Sequence, residues 1–438
     1  MDIGTASWLI VAGIMLLMLT GLPLAFVTGL VALAFTFGWF GQMATGLVIT
    51  RIYSFINEYV LVSVPMFVLM ASVLDRSGIA RDLYSAMRVW AGGLRGGVAV
   101  QTLLVALFLA TISGIIGGEI VLLGLLALPQ MLRLGYDRRL AVGTICAGGS
   151  LGTMIPPSIV LIIYGLTSST SIGDLFLATI TPGILLCALY ISYILILSRV
   201  NPAVAPPAPP EEQAMPLREK LLMLKGVIAP VLVAVLVLGS IYGGIASVTE
   251  AAAMGAVGVL VAAALRRELS LKMLQDSLRQ TLNTCGMIIW IGIGASALVG
   301  IYNLMGGTRF VQGVILGMDV APIVVILVMM LILIVLGMFM DWIGIALLCM
   351  PIFVPIVIKL GFDPVWFGIL FSMNMQVSYI SPPFGPAAFY LKSVAPPEIT
   401  LKVIFSSMWP FIIMQLIGLG LVLSFPQIAM WLPNLAKG

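Results

Sequence analysis

Twelve apolar stretches, most near the length of a bilayer crossing, follow one another along the chain with short polar intervals between them. They fall at 7–20, 22–40, 58–74, 96–132, 140–165, 175–197, 227–245, 250–265, 284–303, 322–358, 365–394 and 401–423. A helix needs about 20 such residues to span the hydrocarbon core, and backbone in lipid must satisfy its own hydrogen bonds. The expected fold class is therefore an all-α polytopic membrane protein. Composition agrees, with 61% hydrophobic and 9% charged residues, against roughly 25% charged in soluble domains. An outer-membrane barrel is excluded, because its strands alternate polar and apolar residues and never make runs this long. No polar stretch is long enough for a soluble domain.

The net charge of +4 and the absence of histidine exclude a nucleic-acid partner and remove the commonest general base and metal ligand. Cys146, Cys187, Cys285 and Cys349 stand singly inside apolar runs, with neither disulfide nor zinc spacing. The opening Met-Asp-Ile-Gly lacks a basic segment, so the first apolar run is expected to be retained as a span.

Two runs, 96–132 and 322–358, hold 37 residues each, too many for one crossing and interrupted part way. Thr111-Ile-Ser-Gly-Ile-Ile-Gly-Gly-Glu119 divides the first, Gly337-Met-Phe-Met-Asp341 the second. A helix that enters, breaks and returns fits both. Charge supports it: the flanks of the first run carry Arg76, Arg81, Arg88 and Arg95 before it and Arg133, Arg138 and Arg139 after it. Placing both flanks in the cytoplasm by the positive-inside rule leaves only Arg51, Arg309, Lys359 and Lys437 outside, among 21 basic residues. The resulting topology has ten crossings, two re-entrant hairpins and both termini outside.

The chain also repeats itself. Sliding it by 226 residues superposes Pro129 on Pro355, Leu134-Gly135 on Leu360-Gly361, Asp137 on Asp363, Pro156-Pro157 on Pro382-Pro383 and Tyr164 on Tyr390. These residue types mark backbone breaks rather than generic apolar filler. Five crossings per half is an odd number, so the second half is expected upside down, an inverted repeat of the kind found in secondary transporters. The expected division is 1–198 for the first repeat (hairpin 96–132, broken helix 140–165) and 199–226 for a Pro-rich cytoplasmic linker. Residues 227–438 form the second repeat (hairpin 322–358, broken helix 365–394). Leucines at helical spacing predict a separate interfacial helix over 266–282, with a weaker mate at 40–56.

Four segments break helices at membrane depth: 113–119, 148–158, 337–344 and 374–385. Pro-Pro removes two amide donors and frees carbonyls upstream, while the neighbouring Gly, Ser and Thr let the backbone turn and add hydroxyls. Freed carbonyls with hydroxyls suit a hard monovalent cation such as sodium, and half-helix N-termini present amides to an anion. Glu119 and Asp341 are the acidic residues placed deep in the two hairpins, open to cation coordination, to capping of the hairpin tip or to proton carriage. Asp137 and Asp363 read as helix caps, and Glu250 as a deep one.

At these motifs the chain resembles the large membrane subunit (DctM-like) of tripartite ATP-independent periplasmic (TRAP) transporters. The resemblance rests on Ser113-Gly with Glu119, on Leu-Gly-Tyr-Asp137 and on Ser150-Leu-Gly-Thr-Met-Ile-Pro-Pro-Ser158. Val64-Pro-Met-Phe-Val-Leu-Met-Ala, Ser77-Gly-Ile-Ala, Thr249-Glu-Ala-Ala-Ala-Met-Gly-Ala and Ser381-Pro-Pro-Phe-Gly extend it over essentially the whole chain. It implies a non-enzymatic, sodium-driven elevator symporter of the bacterial inner membrane, with no cofactor beyond the coupling ions. It also implies two partners, a small four-helix membrane subunit and a periplasmic binding protein that delivers an organic-acid anion. Carried over, Ser113, Gly114 and Glu119 at the first tip, with Gly149, Ser150 and Thr153, would form one sodium site. Gly337, Asp341, Ser378 and Ser381 would form the other, with substrate near Pro157, Ser158, Asn374 and Pro383. The competing readings are a proton-coupled exchanger or channel, compatible with lone carboxylates, and a membrane-embedded hydrolase, which would need a Gly-x-Gly-Asp pattern that is missing.

Overall fold

The computed structural model describes residues 1–91, 94–113, 117–207, 216, 218–220, 225–317 and 319–437, and no strand occurs among them. The first half runs α1 (Ile3–Leu19), α2 (Leu24–Phe35), α3 (Thr45–Ile56), α4 (Ser63–Arg76) and α5 (Ile79–Ala91). It continues through α6 (Gly97–Ser113), α7 (Gly118–Arg133), α8 (Arg138–Ser150), α9 (Ile159–Ser168) and α10 (Ile172–Val200). The second half opens with α11 (Lys225–Tyr242), α12 (Val248–Leu265), α13 (Leu271–Leu304), α14 (Gly307–Leu316) and α15 (Pro322–Gly337). It closes with α16 (Trp342–Lys359), α17 (Pro364–Ile380), α18 (Pro386–Lys392), α19 (Leu401–Ser424) and α20 (Gln427–Lys437). Among the described residues, six helices are long and apolar enough to cross a membrane by length and composition, α10, α12, α13, α16 and α19 among them. Several others are apolar but shorter, and among these α6, α9 and α15 each adjoin an interruption.

Three of the four expected interruptions are present, and in the first, 113–119, residues 114–116 lie outside the described residues. Helix α6 ends at Ser113 and α7 starts at Gly118; α15 ends at Gly337 and α16 starts at Trp342. Between α8 and α9 the chain makes a short 3-10 turn at Leu151–Thr153, then passes the prolines to Ser158. Helix α17 stops at Ile380, and α18 resumes at Pro386.

Caps explain where helices begin. The Asp137 carboxylate accepts from the Arg139 and Leu140 amides (2.9 and 3.1 Å) and starts α8; Asp363 does the same for α17 through Val365 (2.7 Å). Each satisfies donors that the first helical turn leaves unpaired. Glu250 closes a capping box with Ser247, but it is exposed rather than deep. Of the segment 266–282, expected as a separate interfacial helix, residues 271–282 are instead the first part of α13, which runs unbroken for 34 residues, and 266–270 precede it outside any helix. Nothing there stops it: Asn283 and Thr284 lead straight into the apolar run, with no proline or left-handed glycine. In the first half Asn57 turns its side chain back onto the Tyr53 carbonyl (2.8 Å) and Glu58 is extended, so α3 and α4 separate. Helices α5, α14 and α20 occupy stretches read from sequence as polar intervals or chain ends.

Two packed groups result. Helices α2, α3 and α4 lie on α13, and α4 and α11 lie on α12; α1 joins through a small core of Ala6, Ile10, Val31, Leu298 and Ile301. The other group surrounds the breaks. Helices α6, α7 and α19 pack on α8, while α15 and α19 pack on α17. Each hairpin also leans on the half-helix beyond the opposite half's Pro-Pro: α16 on α9, α7 on α18. Small residues permit the close approach that membrane helix packing needs. A Cβ at Gly143 of α8 would come within 2.4 Å of the Ser407 carbonyl on α19.

Candidate functional site

The residues around the first Pro-Pro pair satisfy one another. The Ser150 carbonyl accepts from Thr153 Oγ1 (2.9 Å) and from Gln376 Nε2 of α17 (3.1 Å). The Thr153 carbonyl accepts from Ser158 Oγ (2.5 Å) and Ser372 Oγ (3.3 Å). A carbonyl has two lone pairs, so in this conformation both acceptors are fully engaged by protein. Ser150 Oγ donates to the Ala147 carbonyl (2.7 Å) and accepts from Gln415 Nε2 of α19 (3.2 Å). Side chains of the second half therefore hold open a break in the first.

The second half is built the same way. Asn374 Nδ2 donates to the Met330 carbonyl of α15 (3.0 Å), and Ser378 Oγ reaches the Ile334 carbonyl (3.4 Å) and the Asn374 carbonyl (3.2 Å). These bonds seat the entering arm of the hairpin on α17. Gly337 is what allows the seat, since a Cβ there would meet Ser378 Oγ at 2.4 Å. Asp341 caps α16 by accepting from the Ile343 amide (3.2 Å). Ser381 ends α17 and donates to the Val377 carbonyl (2.6 Å).

Where hairpin tip and broken helices meet lies a small cavity of about 20 Å³, lined by Thr153, Gly337, Asp341, Ser378, Tyr379 and Pro386 among others. A cavity needs roughly 10–15 Å³ to hold one water, so this one fits a single ion or water and excludes an organic acid. No lysine or arginine lines it. It joins Thr153, expected in the first ion site, to Gly337, Asp341 and Ser378, expected in the second. Nearby, Asn374 Oδ1, Gln376 Oε1, Gln415 Oε1 and the Tyr379 hydroxyl are buried without a hydrogen-bond partner among the described residues. Unpaired buried acceptors are costly, and a bound cation, a donor on a substrate or water would relieve them.

The first hairpin closes over the other side. Glu119, 1% exposed, lies in the first turn of α7, and its carboxylate rests against Gly152, where a Cβ would come within 2.7 Å of Oε1. Gly149 packs still more tightly against Ile120. The Ser113 side chain and Gly114, both expected in the first site, fall outside the described residues. Gly117 sits under the Tyr390 ring, and Gly118 lies against the Asp75 carboxylate at the end of α4.

Of the expected substrate residues, Ser158 and Asn374 are buried and bonded to backbone, Pro157 is buried, and Pro383 is exposed. Ser381 does not line the cavity. Sequence reasoning did not select Ser372, Gln376, Tyr379, Gln415 or Asp75. Gln415 did carry a signal, being a lone amide inside an apolar run, and Gln376 did beside Asn374 in another; Asp75 carried none, because it stands beside Arg76 at the mouth of a basic stretch.

Residues 11–428 match the family described as the DctM component of the tripartite ATP-independent periplasmic transporter. The chain is 30% identical over 88% of each chain to the C4-dicarboxylate TRAP transporter large permease protein DctM of Pseudomonas aeruginosa. It is 32% identical over 91% of each to the ectoine/5-hydroxyectoine TRAP transporter large permease protein UehC of Ruegeria pomeroyi. Among solved structures, the Alcanivorax borkumensis YdaH transporter superposes with a TM-score of 0.62 over 87% of both chains at 15% identity. That likeness bears on the fold alone.

Proposed function

The chain belongs to the DctM component family of tripartite ATP-independent periplasmic transporters, and from that premise we propose that it works as a sodium-driven, elevator-type symporter of an organic-acid anion. Its name makes the family one component of three, and the relatives are large permeases. The partners are then a small membrane subunit and a periplasmic protein that hands over the substrate, with this chain in the inner membrane and both termini periplasmic.

The observation that carries the reading is the single-ion cavity shared by Thr153, Asp341, Ser378 and Tyr379. Carboxylate, hydroxyl and carbonyl oxygens are the ligands an alkali cation takes, and Asp341, exposed at the cavity, supplies the carboxylate. Without a cationic side chain there, the bound sodium and the N-terminus of α16 supply the positive potential that attracts a substrate carboxylate. The relatives carry a C4-dicarboxylate and ectoine, so a small carboxylic acid is the substrate class.

The test is uptake into proteoliposomes holding the chain with both partners. An inward sodium gradient should drive accumulation, and removing sodium should abolish it. Equal uptake with no sodium gradient sinks the reading. Uptake driven by a pH gradient alone establishes the proton-coupled reading instead, with Asp341 as carrier.

A further inference from the structure

Beside this site a cavity of about 460 Å³ opens between α1, α13, α14 and the α15–α16 hairpin. Its wall is apolar, formed by side chains such as Trp8, Met15, Val314, Leu336 and Leu348. The hydroxyls of Ser7 and Tyr302, which share a hydrogen bond of 2.8 Å, mark its polar end. The groove has a direction. Phe310 of α14 reaches Gly4 at the start of α1, while Leu336 and Met340 belong to the hairpin tip. Met340 lines both this groove and the ion-sized cavity.

Polarity and charge choose the occupant. Walls from α1, α13, α14 and the hairpin offer almost no polar group along the groove, which suits a flexible alkyl chain. Apolar walls give water no partners. At the polar end Arg309 is exposed, and Lys359 donates to Gln312 of the same short helix (2.6 Å). The nearby Asp2 carboxylate already accepts from the Gly4 amide (3.0 Å).

We propose that this groove binds one acyl chain of an anionic membrane phospholipid, headgroup at Arg309 and Lys359, chain end against Met340 at the hairpin tip. The lipid fills the gap between the α1–α13 group and the hairpin, on the far side of Met340 from the ion cavity.

The probe is phosphatidylglycerol with a diazirine at the end of one acyl chain, in nanodiscs holding the chain and its small membrane subunit. After photolysis, adducts mapped by mass spectrometry should collect on Leu336, Met340 and Leu348 several-fold above Ile413 and Leu416, which are exposed on α19. Val314→Trp should remove the groove adducts, and Leu416→Trp should not. Arg309→Glu, which leaves the apolar wall untouched, should reduce them and so keeps the proposal testable if Val314→Trp fails to fold. Even labelling of both sets overturns the proposal, as does groove labelling that Val314→Trp leaves unchanged. Absent groove labelling with the small subunit covering the face overturns it equally.

Discussion

Ser150 ends a buried helix where lipid offers no hydrogen bonds, and Thr153, Gln376 and Gln415 together serve its polar groups. Gln376→Leu removes one donor and leaves the Ser150 carbonyl with one partner. The expected cost is about 1–2 kcal/mol, read as a lower unfolding midpoint in detergent; an unchanged midpoint would mean that the bond contributes nothing. Asp341 does two things at once, capping α16 and presenting charge to the cavity. Asparagine is as good a cap as aspartate, so Asp341→Asn should keep the fold and raise the sodium concentration for half-maximal uptake by about tenfold or more, about 1.4 kcal/mol. A normal sodium dependence in that variant would assign the carboxylate to capping alone. Gly337→Ala puts a methyl group onto Ser378 Oγ. It should abolish uptake while expression and assembly with the small subunit persist.

At the scale of elements, the sequence reads well wherever a helix start or stop is written locally. Asp137, Asp363, Pro156-Pro157 and Pro382-Pro383 each act on neighbours within a turn, and the structure places breaks and caps at all of them. It reads poorly where a boundary depends on the absence of a signal. The leucines of 271–282 describe an amphipathic helix equally well whether it stops at Asn283 or continues, and α13 continues. Hydrogen exchange should therefore find the amides of 282–288 protected, whereas those of 57–60, at the Asn57 stop, exchange early. Fast exchange at 282–288 would restore a separate arm.

At the scale of the whole molecule, the hairpins pack across the repeat, and the α1–α4 and α11–α13 group meets them chiefly where α13 lies on α16 and α4 on α6. On one side Arg266, just past α12, donates to Asp82 of α5 and to Glu268 (2.9 Å), and Glu268 accepts from the Gly78 amide (3.0 Å). Glu268 and Asp82 together hold the Arg266 guanidinium protonated well above the ordinary arginine range. Next to this network Asp75 meets Gly118 at the first hairpin tip. If that tip slides past α4 during transport, Asp75→Cys with Gly118→Cys should form a disulfide under oxidant that stops uptake, and a reductant should restore it. Continued transport with the bridge closed would rule out sliding there. What the sequence by itself determined was the solvent, the helical class, the repeat and the interruptions at 148–158, 337–344 and 374–385, because apolar length, Pro-Pro and capping residues act locally and need no knowledge of neighbours. Only the tertiary structure decided that Gln376 and Gln415 close the Ser150 break, that Thr153 and Asp341 share one cavity, and that Asp75 faces the hairpin. Each of those contacts joins residues from different helices, and no spacing along a chain encodes which helix comes to lie beside which.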